Sequence, residues 1–202
     1  MEFLEMTNIR RCPFTIYVDS AECHPYEFKG IRDDAVHDYA LLTTQIVRAS
    51  LGRHPNSFGD YTLEGGVGRC CIERKSMEDC WGTLLGWPTG WEVDRGLPGR
   101  RDRFEKELDN LNRVDAALII VEANFGDCIA KCPQWGVKTA EENAKIFFRT
   151  VISYQQRFQR VSWIFAEDRR FAEVITFRWM YRFYMKNLKP KGRRKKFDLS
   201  DI

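Results

Sequence analysis

Residues 69–79 read RCCIERKSMED, an apolar run that turns charged and then meets a serine. Cys70, Cys71 and Ile72 give 69–74 the length and apolar content of a buried strand. Ser76, followed three residues later by Asp79, is the pattern that opens a helix, with Asp79 placed to close a capping box. A strand that runs straight into a capped helix belongs to a layered α/β domain. Side chains two apart on a strand share a face, so Glu73 and Lys75 emerge together and Arg74 faces away.

The neighbouring segments extend the pattern in both directions. FGDY (58–61) sets Asp60 after a glycine, ahead of a short strand around Tyr61 to Leu63, where antiparallel pairing brings Asp60 beside Glu73. FTIYVD (14–19) is a buried strand ending in Asp19. DDAVHDYALLTTQIVRAS (33–50) carries apolar residues at helical spacing and ends near Gly52, which predicts a helix. Downstream, RRDRFEKELDNLNRV is helical, DAALIIVEA (115–123) is the clearest buried strand, and a loop containing CIAKCPQWG leads to a helix opened by Thr139. VSWIFA (161–166) is a further strand, and the aromatic-rich 167–188 is a long helix. Strands alternating with helices predict an α/β sheet covered on both faces. The domain is expected to span 14–188, between an N-terminal segment 1–13 and a basic tail 189–202.

Composition narrows the class. With 44% apolar and 30% charged residues over 202 positions, the chain reads as one globular domain, not a disordered one. No apolar run approaches the ~20 residues of a membrane span, and the start, MEFLEMTNIRRCPF, has no signal-peptide core. Seven cysteines, two of them adjacent, fit reduced thiols and an intracellular setting: the cytoplasm of a bacterium or phage-infected cell, or a nucleus. Their spacings are not those of a zinc finger or ribbon. From Lys186 onward, seven Lys and Arg face only Asp198 and Asp201, so a +5 tail is attached to a body of about −2, within a net charge of +3. Lys189, Lys191, Arg193, Arg194, Lys195 and Lys196 would attract nucleic-acid phosphates; a solvated terminus or an import signal would look the same. Trp87 and Trp91, on the Gly/Pro-rich stretch 86–99, are candidates for stacking on unpaired bases.

Asp60, Glu73 and the Arg74 carbonyl make a hard-oxygen set suited to Mg²⁺. Such an ion polarises a scissile phosphate and acidifies a bound water, while Lys75 orients that water or stabilises charge growing on the phosphate. This is the D…ExK arrangement of restriction-type nucleases, and it predicts a restriction-endonuclease-like central mixed sheet flanked by helices. A surface ion pair is the plain alternative, but it leaves GDY and Arg74 unexplained.

GDY followed by IERKSMED also resembles GDY…ERKxxxD, the signature of the XPF-type endonuclease domain, named for xeroderma pigmentosum group F. IYVDSAE, GRRDRFEKELDNLN with AALIIVEA, and TAEENAKIFFRTV resemble other parts of that domain, so the likeness covers about residues 14 to 186. It implies metal acids at Asp19, Asp60 and Glu73, a catalytic lysine at Lys75 with Arg74 beside it, and supporting positions at Glu22 and Asp79. It further implies Mg²⁺-dependent incision, with Mn²⁺ as substitute, of branched DNA at single-strand/double-strand junctions such as flaps, forks and repair or recombination intermediates. Pairing as a homo- or heterodimer through the last helix is implied too, with Phe177, Met180 and Tyr184 as candidate contacts. Three features depart from the family: Ala21 stands where arginine is usual, the spacings from Asp19 to Asp60 and from Asp79 to Arg100 are long, and no helix-hairpin-helix module follows. A non-catalytic DNA-binding scaffold is the alternative function, and it predicts loss of Asp60, Glu73 or Lys75.

Overall fold

The computed structural model describes residues 8–33, 39–53, 58–87 and 99–190. Six strands form one mixed sheet: β1 (Ile9–Asp19), β2 (Leu41–Ala49), β3 (Tyr61–Leu63), β4 (Cys70–Lys75), β5 (Ala116–Val121) and β6 (Val161–Phe165), in the order β2-β1-β3-β4-β5-β6. β3 is antiparallel to both β1 and β4, whereas β1–β2, β4–β5 and β5–β6 pair in parallel. The helices are α1 (Met77–Leu84), α2 (Arg100–Leu111), α3 (Phe125–Ala130), α4 (Ala140–Arg157) and α5 (Arg169–Phe183), the last continuing into a short π-helical turn, Tyr184–Leu188. This is the expected α/β architecture, consistent with a restriction-endonuclease-like fold.

Each face of the sheet buries its own core. Phe14, Ile16, Val18, Tyr61, Ile72 and Ile120 pack beneath Phe177 and Met180 of α5. On the other face, Cys71, Ile119 and Val121 pack with Trp81 of α1, Phe104 and Leu108 of α2, and Phe147 of α4. β5 is covered on both faces, and Leu118, Ile119, Ile120 and Val121 are fully buried. Burying each such side chain is worth roughly 1.5–3 kcal/mol, which explains why this strand shows so clearly in the sequence. The cysteines are free thiols, and those at 70, 71, 80, 128 and 132 serve as small apolar residues of the two cores.

Three expectations need correction. The helix predicted over 33–50 is not there: Leu41–Ala49 is strand β2, parallel to β1, and residues 34–38 lie outside the described set. β2 is an edge strand buried chiefly at Leu42, with Ile46 and Val47 both 38% exposed, so its apolar residues trace neither a strand face nor a helix face. The β-branched pairs Thr43–Thr44 and Ile46–Val47 favour the extended form. Second, the stretch beginning at Phe125 is helix α3, capped by the Asn124 side chain accepting from the Asp127 N–H, not loop throughout. Third, Phe177 and Met180 are fully buried against the sheet and Tyr184 packs on Phe14, so these residues belong to the core rather than to a surface awaiting a partner. β1 also starts at Ile9, ahead of the expected Phe14.

Candidate active site

Strand parity places the acids. Cys12, Phe14, Ile16 and Val18 of β1 point into the α5 side, so Asp19, one residue on, projects from the opposite face. Tyr61 and Ile72 likewise point toward α5, which puts Asp60 and Glu73 on Asp19's face, where α2 packs. The parallel strands β1 and β4 end, and the antiparallel β3 begins, at one edge of the sheet. Asp19, Asp60 and Glu73 accordingly line one cavity of about 440 Å³, together with Arg103, Lys106 and Glu107 from α2.

Gly59 makes this convergence possible. Its φ is +86°, and a Cβ there would lie 2.7 Å from the Ile72 carbonyl oxygen. With that space free, the chain closes onto β4: the Asp60 N–H donates to the Ile72 carbonyl at 2.8 Å, and the Arg74 N–H donates back to Asp60 Oδ2 at 2.8 Å. The Asp19 N–H donates to the Asp60 carbonyl at 2.8 Å, joining β1 to the same corner. Arg48 of β2 then fastens the turn after Asp19 by donating to the carbonyls of Asp19 and Glu22 at 3.1 and 2.6 Å.

Lys75 is buried in this corner. Its Nζ donates to Glu73 Oε1 at 2.9 Å, reaches Asp79 Oδ2 at 3.4 Å and lies 4.6 Å from the centre of the Phe104 ring. Burial opposes a charged amine, but the carboxylates of Glu73, Glu107 and Asp79 outweigh it and hold the Lys75 ammonium above its ordinary range. Burial drives the Asp60 carboxyl well up and the nearby Glu73 pushes it further, with the Arg74 N–H pulling partly back. Glu107 is raised for the same two reasons, burial and then Glu73, with which it is hydrogen-bonded.

The remaining predicted positions separate into two groups. Asp79 stays near Lys75, but only half of the capping box forms: its N–H is bonded by Ser76 Oγ at 3.1 Å, while its carboxylate turns to Arg100 Nη2 instead of back to the cap. Gly82 leaves the space that the Arg100 guanidinium fills, where a Cβ would collide with it. Arg74 and Glu22 lie across the sheet. Arg74 grips Glu122 in a two-point ion pair, Nε–Oε1 at 2.7 Å and Nη2–Oε2 at 2.6 Å, with Glu22 at 3.5 Å. Lys189 is exposed where the π-helical turn ends, and Lys191, Arg193, Arg194, Lys195, Lys196 and Trp91 lie outside the described residues. Trp87 stacks on Trp135 with ring centres 4.8 Å apart, which occupies one face of the indole.

Sequence reasoning missed Glu107, Arg100 and Glu122. The available signal for Glu107 was its place three residues after Phe104 and beside Leu108, on the edge of the buried stripe of α2.

Among the described residues, no three acidic, histidine or cysteine side chains converge closely enough to hold a metal ion as they stand. The donor set nonetheless fits a hard divalent cation in kind. Asp19, Asp60, Glu73 and Glu107 offer carboxylate oxygens to one cavity, and burial and mutual repulsion raise Asp60 and Glu107 there.

A six-stranded mixed sheet flanked by helices is an α/β architecture consistent with a restriction-endonuclease-like fold. No family model and no curated protein matches the chain. Among solved structures it is similar to XPF from Aeropyrum pernix, with a TM-score of 0.50 and 15% sequence identity, over 89% of this chain and 67% of that one. At that identity the likeness is one of fold. No helix among the described residues is long and apolar enough to cross a membrane.

Proposed function

We propose that the chain is a metal-dependent endonuclease that hydrolyses phosphodiester bonds in DNA, acting inside cells on branched or junction-bearing substrates. The observation that carries this reading is the meeting of Asp60, Glu73 and Lys75, with Asp19, at one edge of the sheet. Asp60 and Glu73, with Asp19 or Glu107, would hold Mg²⁺ or Mn²⁺, which when bound supplies a polarised phosphate and a more acidic water. Lys75 remains an ammonium, so it donates hydrogen bonds and does not act as a base: it would orient the attacking water or stabilise charge developing on the scissile phosphate. Phe104 and the buried ends of β4 keep bulk water from this ammonium, which strengthens its field. Arg103 and Lys106 line the cavity wall and would meet DNA phosphates flanking the bond.

Retention of Asp60, Glu73 and Lys75 together supports catalysis over the non-catalytic scaffold reading. The fold resemblance to an XPF supports DNA as the substrate and pairing as a homo- or heterodimer. The test is incubation of labelled linear, flapped, forked and four-way DNA with Mg²⁺, alongside Lys75→Ala. Cleavage of the branched forms by the wild type alone is the expected result. Absence of cleavage on every substrate, with either Mg²⁺ or Mn²⁺, would overturn the proposal.

A further inference from the structure

A second cavity, of about 600 Å³, lies under the C-terminal half of α5 at the amino ends of β5 and β6, with an apolar floor of Ala116, Ile175, Trp179 and Phe183. It is remote from the candidate active site. Ala116 pairs with Cys70 and Val121 with Lys75, so about 17 Å of strand separates the two ends, at roughly 3.3 Å per residue. Glu73 and Lys75 also project from the opposite face of the sheet.

The rim is cationic, formed by Arg160, Arg178, Arg182 and Lys186. Arg160, Arg182 and Lys186 are exposed and form no salt bridge among the described residues. The single acid on the rim, Asp115, is already held by Arg69 Nε at 2.8 Å. On the floor, the Trp179 indole N–H is buried without an acceptor among the described residues. The cavity therefore presents donors and positive charge around an apolar pit, with almost nothing that accepts.

We infer that this cavity docks an acidic segment of a protein partner, one apolar side chain seated among Ile175, Trp179 and Phe183 and its carboxylates on Arg160, Arg182 and Lys186. Charge complementarity selects that occupant. A second copy of this chain would bring the same cations face to face across a symmetric contact. The candidate nuclease site, where DNA would be engaged, lies at the other end and face of the sheet. A pit whose floor is aliphatic as well as aromatic suits an inserted side chain better than a stack of bases. Aromatic and arginine side chains around a small apolar pocket are also what dominates binding energy at protein interfaces, and basic clusters are a recurring means of capturing acidic motifs. The site stands independently of the nuclease reading.

Selection of random twelve-residue peptides displayed on phage, with the wild-type chain as target and Arg182→Glu as counter-target, tests the assignment. The enriched peptides are expected to combine Asp or Glu with Leu, Phe or Trp. A fluorescein-labelled copy of one should bind at least tenfold more weakly to Arg182→Glu and to Trp179→Phe, while both variants cut DNA as the wild type does. Enrichment of peptides without acids, no enrichment over the counter-target, or equal binding to wild type and Arg182→Glu would overturn it. So would displacement of the peptide by labelled twelve-residue oligo-dT with matching loss in the variants, which would make the cavity a nucleic-acid site. Self-association in sedimentation that Arg182→Glu abolishes would make it a contact between copies, and would equally overturn the proposal.

Discussion

Lys75 Nζ donates to Glu73 Oε1 at 2.9 Å, a contact between side chains two apart on one strand and both nearly buried. Adjacent positions on a sheet face bring the two together, and burial makes each depend on the other. Glu73→Gln keeps the shape and a hydrogen-bond acceptor for Lys75 but removes the charge. Cleavage by Glu73→Gln and by Asp60→Asn is expected to fall roughly a hundredfold or more, the usual scale when one charge stabiliser or metal ligand is lost. Single-turnover cleavage, with circular dichroism to confirm folding, measures it. Undiminished turnover in Glu73→Gln would remove Glu73 from the site.

Glu107 tests whether the corner is built for a cation. In the wild type, burial and the neighbouring Glu73 raise its carboxyl well above the ordinary range. Glu107→Gln replaces one of the two acids with an amide that still donates to Glu73. Without metal, the variant is expected to melt at or above the wild-type temperature, because a neutral amide replaces a buried carboxyl whose ionised form its surroundings disfavour. With Mg²⁺ or Mn²⁺, the wild type should gain stability through ligand binding, and Glu107→Gln should gain less. Thermal unfolding with and without 10-fold steps of cation concentration reads both effects. Equal metal-induced shifts in the two proteins would exclude Glu107 from cation binding.

Gly59→Ala should be costly in both stability and activity. The substitution forces a side chain into a positive-φ position and against the Ile72 carbonyl at 2.7 Å. Strain of this kind costs on the order of 1–3 kcal/mol. It falls on the hydrogen bonds that set Asp60, so cleavage should fall along with the denaturation midpoint. Gly52→Ala, whose Cβ would meet nothing within 4 Å, is the control for stability and should leave the denaturation midpoint unchanged.

How much of this was readable beforehand depends on distance along the chain. Residues 69–79 disclose a strand and a helix start because apolar content and a serine cap act locally. Leu41–Ala49 misled because an edge strand with little buried surface has no sharp period to read. Glu107 and Arg100 were not legible as site residues because their meaning comes from α2 crossing the end of β4, a tertiary relation with no local trace. The turn of the Asp79 carboxylate toward Arg100, 21 positions away, is of the same kind. Phe177 and Met180 looked like surplus apolar surface on a helix, when in fact the sheet covers them.

Glu105 supplies a pH test away from the catalytic corner. Slight burial would raise its carboxyl, but hydrogen bonds from Tyr154 and Arg157 outweigh it and hold Glu105 below the usual carboxylate range. A carboxyl lowered in the folded state adds stability above its unfolded pKa of about 4.3, and loses it as pH falls through the lower folded value. Glu105→Gln should therefore be less stable than wild type at pH 7, with the gap narrowing below about pH 4. Urea unfolding across that range measures it. A gap that is independent of pH would mean Glu105 acts through packing rather than charge.

The charge of the C-terminal stretch bears on how DNA is held. The body of the chain is about −2, and the face with the candidate site gathers carboxylates, so attraction to DNA before any metal binds is expected to be poor. Lys191, Arg193, Arg194, Lys195 and Lys196 add five positive charges in six positions, following Lys189 at the end of the last turn of α5's continuation. Each phosphate they neutralise should steepen the fall of log affinity against log salt by roughly 0.7 for single strands and 0.9 for duplex. Truncation after Lys189 is expected to weaken binding, flatten that slope by several such units and leave the rate at saturating DNA unchanged. Fluorescence anisotropy over a series of salt concentrations gives the slope, and single-turnover cleavage gives the rate. An unchanged slope in the truncated protein would move the DNA anchor onto the folded domain, with Arg103 and Lys106 beside the acidic cavity as the first residues to substitute.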